Sequence, residues 1–249
     1  MSMASVVRPF DWLTPDWPAP HNVQACVTTA TGGNSAAPFA RFNLGAHVGD
    51  ALDDVQRNRE YLADALRCEP TWLNQVHSAR VVTADATQIL TADASTSREV
   101  GLACCIMSAD CLPVLFTDQA GTCVAAAHAG WRSLVAGVLE NTVASMQVAP
   151  QQVMAWLGPA IGADAFEVGG EVRDAFIQQH PIAEKAFVSS KNPGRWMADI
   201  YHLARIRLAA CGVEAVYGGG LCTVNDPRFY SYRRQPVTGR FASLVWIAE

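Results

Sequence analysis

Two apolar, β-compatible runs, Leu112 to Phe116 and Thr122 to Ala127, flank Thr117-Asp-Gln-Ala-Gly121, which has Asp at the first and Gly at the fourth position of a type I turn. This pattern predicts a β-hairpin. Pairing Asp118 with Gly121 fixes an antiparallel offset that sets Cys111 directly opposite His128. Opposed residues have Cβ atoms about 4.5–5.5 Å apart and point to one side of the sheet. A thiolate and an imidazole so placed can share a zinc ion, form a nucleophile and base pair, or pack as a buried thiol beside a hydrogen-bonded ring. Asp110 before the cysteine and Gly130-Trp131-Arg132 after the histidine gather polar groups at one sheet end, which favours chemistry.

The length of 249 residues, half of them hydrophobic, supplies a large core, and one domain over 1–249 is expected. A charged fraction of 16% and a net charge of −5 without a basic cluster argue against nucleic acid or an anionic membrane and for a small ligand. Met1 to Trp12 lacks an apolar signal core, and no run approaches the roughly 20 apolar residues of a spanning helix. A cytoplasmic location is therefore expected. Eight cysteines without CxxC pairs or framework spacing read as reduced thiols, mostly packed in the core. Cys104 or Cys105 is placed to approach Cys111 from a neighbouring strand.

Strands are expected at Val23–Thr29, Trp72–His77 with Arg80–Thr83, Gly101–Ser108, Val153–Leu157, Val213–Tyr217 and Phe241–Ile247. Asp53-Asp54 opens a helix whose stripe is Val55, Leu62 and Leu66, with Asn58 and Arg59 on or beside it. Such an arginine needs an anion, either an internal carboxylate or a substrate phosphate. One amphipathic helix is expected through Leu134, Val135, Val138, Leu139, Val143 and Met146. Further helices cover 170–179 and, capped by Asp199, the segment to Leu208. Thr91–Thr96 reads as a polar turn carrying Asp93, and Lys185–Trp196 as a surface loop. The segment 41–50 is a polar loop containing Asn43 and the loop histidine His47. Glu167 is a carboxylate in an apolar run, and Phe229–Arg234 with Gly239-Arg240 is an arginine cluster that serves as solvated charge or as an anion site. Strands interspersed with helices predict an α/β layered sandwich with mixed sheets covered by helices. GxGxxG, P-loop and GxSxG patterns do not occur.

Asn74-Gln-Val-His77, Ser108-Ala-Asp-Cys-Leu-Pro-Val-Leu-Phe116, Ala126-Ala-His-Ala-Gly-Trp-Arg132, Gly158-Pro-Ala-Ile-Gly162 with Phe166-Glu-Val-Gly169, and Phe229-Tyr-Ser-Tyr-Arg-Arg234 resemble the bacterial multicopper polyphenol oxidoreductase (laccase) family, later described as purine nucleoside phosphorylases and, for some members, peptidoglycan editing factors. The resemblance runs from about Phe10 onward. It implies one α/β sandwich domain and a zinc held by His77, Cys111 and His128, with copper as the alternative ion. It also implies phosphorolysis of adenosine, inosine and guanosine, extending to methylthioadenosine, with adenosine deamination as a side activity. The chain departs from the family's Ser-Thr-Arg-x-Gly-Gly at Thr28-Thr-Ala-Thr-Gly-Gly33, where Ala30 replaces the arginine. An anion role there would pass to Arg41, Arg59 or the Arg233 cluster.

Three N/S ligands without a fourth leave a zinc open to substrate, the pattern of catalytic zinc. Arg59, Arg132 and Arg233 are the phosphate candidates, and Asp93 and Glu167 the groups for ribose hydroxyls or proton transfer, with Asn43 also on the substrate side. Six histidines are too few for a trinuclear copper cluster plus a separate copper site, which weakens the laccase reading. A metal-free Cys-His hydrolase acting on amide bonds in cell-wall precursors is the other enzyme reading. A binding domain stapled by a closed metal site is the non-enzyme one. Partners are expected to be a nucleoside and phosphate, and the protein a monomer.

Overall fold

Successive side chains of a strand point to opposite faces, and in this protein that alternation builds the layers. The computed structural model describes residues 10–249; the first nine residues of the N-terminal segment read above lie outside the described residues. Every residue of the strand Leu102–Ser108 is buried, as in a strand covered on both faces. Cys104 and Ile106 point into a cluster with Val27, Leu115, Val124, Ala126, Trp156 and Val245. Ala103 and Cys105 point the other way, toward Phe42, Leu62 and Leu244. The first cluster lies between two sheets and the second lies under helix α1 (Leu52–Leu66). On the far side of the second sheet, Val114, Phe116, Ala125 and Ala127 pack on α2 (Trp131–Val135), α3 (Val138–Ser145), α4 (Gly170–Gln179) and α5 (Ile200–Ala210). The order is helix, sheet, sheet, helices, as the α/β layered reading requires.

The five-stranded sheet runs Trp12–Leu13, Val23–Thr28, Phe241–Ile247, Leu102–Ser108, Glu69–Thr71, with only the last pair parallel. The six-stranded sheet runs Ala215–Gly218, Val153–Leu157, Leu112–Asp118, Val124–Ala129, Ala94–Ser97, Val81–Thr83. Its two outer pairs are parallel and its inner pairs antiparallel.

Several expectations change. The hairpin forms, but Val124 pairs with Thr117 and Ala129 with Leu112, two residues off the expected offset. The turn hydrogen bond from Gly121 N–H to the Asp118 carbonyl is present at 3.0 Å. The Asp118 carboxylate, however, also accepts the N–H groups of Thr122 and Cys123 at 2.7 and 2.9 Å, which holds them in the loop and makes Cys123 the pairing residue. An even slip keeps each side chain on its face, so His128 opposes Pro113 and Cys111 lies diagonally beyond it. Cys104 and Cys105 turn into two separate core layers and neither approaches Cys111. The single helix expected after Arg132 is divided at Gly137, whose φ of 92° leaves the helical region. Residues 185–196 are not an open loop: Phe187–Ser189 and Arg195–Ala198 pair in a three-stranded sheet with Glu167–Gly169. The expected turn around Asp93 runs directly into the fully buried strand Ala94–Ser97. The expected strand to His77 stops at Asn74, leaving His77 on an exposed loop.

Candidate metal centre and its cavity

The two central strands of the hairpin and the end of Leu102–Ser108 reach the same edge of the sandwich, and their connections carry the site. Ser108 Oγ donates to the Cys111 carbonyl, closing the turn between the two strands. His128 sits one residue before the end of its strand, 4% exposed. His77 arrives from a different direction, on a loop whose backbone takes φ 60° at that residue. One buried carboxylate holds that conformation. Asp93, at 0% exposure, accepts the backbone N–H of Val76, His77 and Ser78 and the Ser78 hydroxyl, at 2.6–3.2 Å. Its Oδ1 also lies 2.9 Å from His128 Nδ1, so the Nε2 of that ring is left for the site. Gln75 ties the same loop to the strand end by donating to the Met107 carbonyl and accepting its N–H, each at 2.9 Å.

The ligand atoms of His77, Cys111 and His128 lie within 4.8 Å of one another. Cys111 Sγ is 3.8 Å from His77 Nε2, against about 3.6 Å for a sulfur and a nitrogen sharing a tetrahedral zinc. A Cβ at Gly130 would lie 2.9 Å from that sulfur and 3.1 Å from His77 Cδ2, so glycine is what lets the two approach. The donor set and the spacing fit a metal ion. Among the described residues this is the one group of three or more His, Cys, Asp or Glu side chains that converges so.

Burial works to raise the Cys111 thiol pKa, but the charge of His128, then hydrogen bonds to both imidazoles, outweigh it and bring it below the ordinary thiol value. His128 moves the other way: burial lowers it, and the Cys111 thiolate and Asp93 carboxylate raise it further. Burial alone would raise Asp93, yet the hydrogen bonds from His128 and Ser78 bring it down to about 2. The remaining cysteines with shifted thiols, Cys26, Cys68, Cys104, Cys105, Cys123 and Cys211, are all pushed up by burial.

The trio opens on a cavity of about 420 Å³. Arg132 and Arg233 line it, as do Trp131, Phe166 and Tyr232, together with His47 and Arg240. The other expected substrate contacts lie outside its lining. Arg59 donates to the Leu44 carbonyl through Nε and Nη2 and stacks 4.0 Å over Trp72, so a backbone carbonyl takes the place of the expected anion. Asn43 is fully buried and joins Gly45, Asp50 and Arg240. Asp93 stands behind His128 rather than in the cavity, and Glu167 accepts from Ser190 and Asn192. Of the replacements considered for the family arginine at Ala30, Arg41 and Arg59 are likewise absent from the lining, and the C-terminal arginine cluster reaches it. His47 carried no signal beyond a polar, glycine-rich loop. Arg240 could be seen in sequence only as one member of that cluster.

The family model described as multi-copper polyphenol oxidoreductase laccase matches residues 24–248. A Pseudomonas aeruginosa protein named purine nucleoside phosphorylase is 63% identical over 239 residues, covering 96% of this chain and 99% of its own length. Purine nucleoside phosphorylase YfiH of Escherichia coli is 50% identical over 240 residues, covering 94% and 98%. A crystal structure of a Neisseria meningitidis protein superposes with a TM-score of 0.93 at 51% identity, covering 96% of this chain and 99% of that one. YlmD from Geobacillus stearothermophilus gives 0.89 at 28% identity over 97% and 100%. No helix among the described residues is long and apolar enough to cross a membrane. Matched along nearly its whole length in sequence and in fold, the chain belongs to the multi-copper polyphenol oxidoreductase laccase family.

Proposed function

We propose that this protein is a zinc-dependent purine nucleoside phosphorylase, taking adenosine, inosine and guanosine and extending to methylthioadenosine, with adenosine deamination as a side activity. The observation that carries the reading is the opening of the His77, Cys111 and His128 trio onto a cavity walled by guanidinium groups and aromatic rings. Two relatives at 63% and 50% identity bear the name purine nucleoside phosphorylase, which supports it. The same reading makes the protein a cytoplasmic monomer that meets only small molecules.

In phosphorolysis a phosphate oxygen bonds to C1′ of the ribose as the C1′–N9 bond breaks; the electron pair leaves with the purine, which takes up a proton. The flat faces of Trp131, Phe166 and Tyr232 suit a purine ring. The arginines of the wall offset the charge of orthophosphate. His77, Cys111 and His128 would hold the zinc, and Asp93 fixes which nitrogen of His128 faces it. Bound there, the ion would supply Lewis acidity. Copper remains the alternative ion, though the described residues offer one converging trio and not the several ligand sets of a multicopper oxidase.

A second reading has its own observation. Cys111, His128 and Asp93 stand in a line of nucleophile, base and orienting carboxylate, with His128 Nδ1 2.9 Å from Asp93, which suits a metal-free hydrolase of amide bonds in peptidoglycan precursors.

Metal content of the purified protein, followed by mass spectrometry of products from adenosine with phosphate before and after chelation, separates the two. Adenine and ribose 1-phosphate that vanish on chelation and in Cys111→Ala are the expected result. No ribose 1-phosphate under either condition, together with cleavage of peptidoglycan-precursor amides that survives chelation but is lost on thiol alkylation, would transfer the case to the hydrolase.

A further inference from the structure

The arginines around the cavity differ in what already holds them. Arg234 donates to the carbonyls of Thr223, Val224, Asp226 and Phe229 and so closes its own loop. Arg233 has each terminal nitrogen on a carbonyl, Ala165 at 3.2 Å and Glu167 at 3.3 Å. Arg132 is exposed and lies 4.5 Å over the Trp131 ring. Arg240 is half-buried, and only its Nη1 is engaged, by the Thr238 and Gly239 carbonyls at 3.1 and 2.9 Å. Among the described residues, none of its hydrogen bonds and none of the ion pairs brings a carboxylate to it. Asp110, close enough for its charge to act on Arg240, already accepts from Thr223 Oγ1 and Arg233 N–H. The Cys111 sulfur, also nearby, belongs to the imidazole pair. A desolvated guanidinium with two donor nitrogens unengaged is stabilised by an arriving anion, which it can grip through both.

Its placement is built from the far end of the sequence. Asn43 Oδ1 accepts from Arg240 N–H at 2.8 Å and from Gly45 N–H at 2.9 Å, while its Nδ2 donates to Asp50 at 2.9 Å. A Cβ at Gly45 would come within 2.8 Å of Arg240 Cγ, so the arginine stem rests against the glycine backbone. The same loop delivers His47 to the cavity wall. We propose that Arg240 is the anion-binding residue of the cavity, taking orthophosphate, and that Asn43 is the positioning residue that aims it. The identity of the anion rests on the phosphorylase reading above; the existence of the anion site does not.

The test uses the metal-loaded protein with two readouts. In phosphorolysis of adenosine, Arg240→Met should raise the KM for phosphate by about 30-fold, as loss of a two-pronged charge-assisted contact would, while the KM for adenosine moves by less than about threefold. Arg240→Lys, which keeps stem and charge without the fork, should recover part of the loss and guards against a variant that fails to fold. Asn43→Ala should shift the phosphate KM in the same direction by less than Arg240→Met does, again with the smaller change on the adenosine side. Separately, calorimetric titration with inorganic phosphate alone should show binding to the parent protein and none to a folded Arg240→Met. An unchanged phosphate KM in Arg240→Met, or a larger change in Arg233→Met, overturns the assignment. Phosphate binding that depends on Arg240 without any ribose 1-phosphate formed would leave the anion site standing and remove the phosphorylase reading. A parent protein that binds no phosphate in either readout overturns the proposal.

Discussion

The two halves of the candidate metal centre are held in opposite ways. Cys111 immediately precedes one strand and His128 lies near the end of its neighbour; every residue of both strands is buried, and hydrogen-bonded ladders run on both sides of each. His77 is exposed, on a segment with no ladder, in a backbone conformation that a non-glycine residue seldom takes. A ligand on a rigid sheet is fixed by core packing; a ligand on a loop has to be fixed by something local. Here that something is Asp93, which reaches both halves at once: backbone N–H groups of the loop on one side, the imidazole of the strand on the other. A buried charge survives because each oxygen accepts at least two hydrogen bonds.

That contrast can be broken from either side. The largest effect is expected from Cys111→Ala on the sheet side: metal affinity should fall by about a thousandfold or more, because the thiolate carries the only negative charge in the set, while the melting temperature of the chelated protein barely changes. Metal analysis after dialysis and a thermal scan of both chelated proteins check this. Asp93→Ala should weaken metal binding by about 10–100-fold, and unlike the cysteine variant it should release residues 75–80 to rapid amide hydrogen exchange even without metal. Equal exchange in the parent and the variant would show that the loop holds itself. Gly130→Ala should cost metal affinity about tenfold, since the added methyl meets the sulfur at 2.9 Å and the approach of ligands governs site geometry.

Acid sharpens the comparison further. Asp93 has its pKa depressed from the ordinary value of 3.8 to about 2, so the stability it lends is fully present above about pH 4 and is lost as pH falls toward 2. In the chelated protein, exchange protection of residues 76–78 should fade through that window, and in Asp93→Asn the window should disappear. The smallest effect is chemical: iodoacetamide at neutral pH should label Cys111 in the chelated protein and leave Cys26, Cys104 and Cys105 untouched, because their thiols are raised by burial and its thiol is lowered by the imidazoles. Peptide mapping shows which.

What could be read from sequence followed the same division. Strand-borne features announce themselves as apolar runs, so Leu102–Ser108, Val153–Leu157 and Phe241–Ile247 were legible almost to the residue. The shared face of Cys111 and His128 was legible too, by parity, although the Asp118 carboxylate displaced the register by two. Asp93 was not, since its partners lie 15 to 17 residues upstream and 35 downstream and Thr91–Thr96 reads as a polar turn. Trp72–His77 reads as a strand, yet Asp93 takes the backbone N–H groups of residues 76–78, and Gln75 the N–H and carbonyl of Met107 at the strand end, that a ladder would have used. Arg240 needed Asn43, 197 positions away, to become distinguishable from its neighbours.

The strand Phe241–Ile247 lies in the middle of the five-stranded sheet, between Val23–Thr28 and Leu102–Ser108. On the ribosome, residues 241–247 emerge after both partners, so those two must wait with their inner edges open until the gap between them is filled. A nascent chain released before that point would carry all three candidate ligands and yet expose two unsatisfied edges, which makes it a substrate for quality control rather than a smaller enzyme.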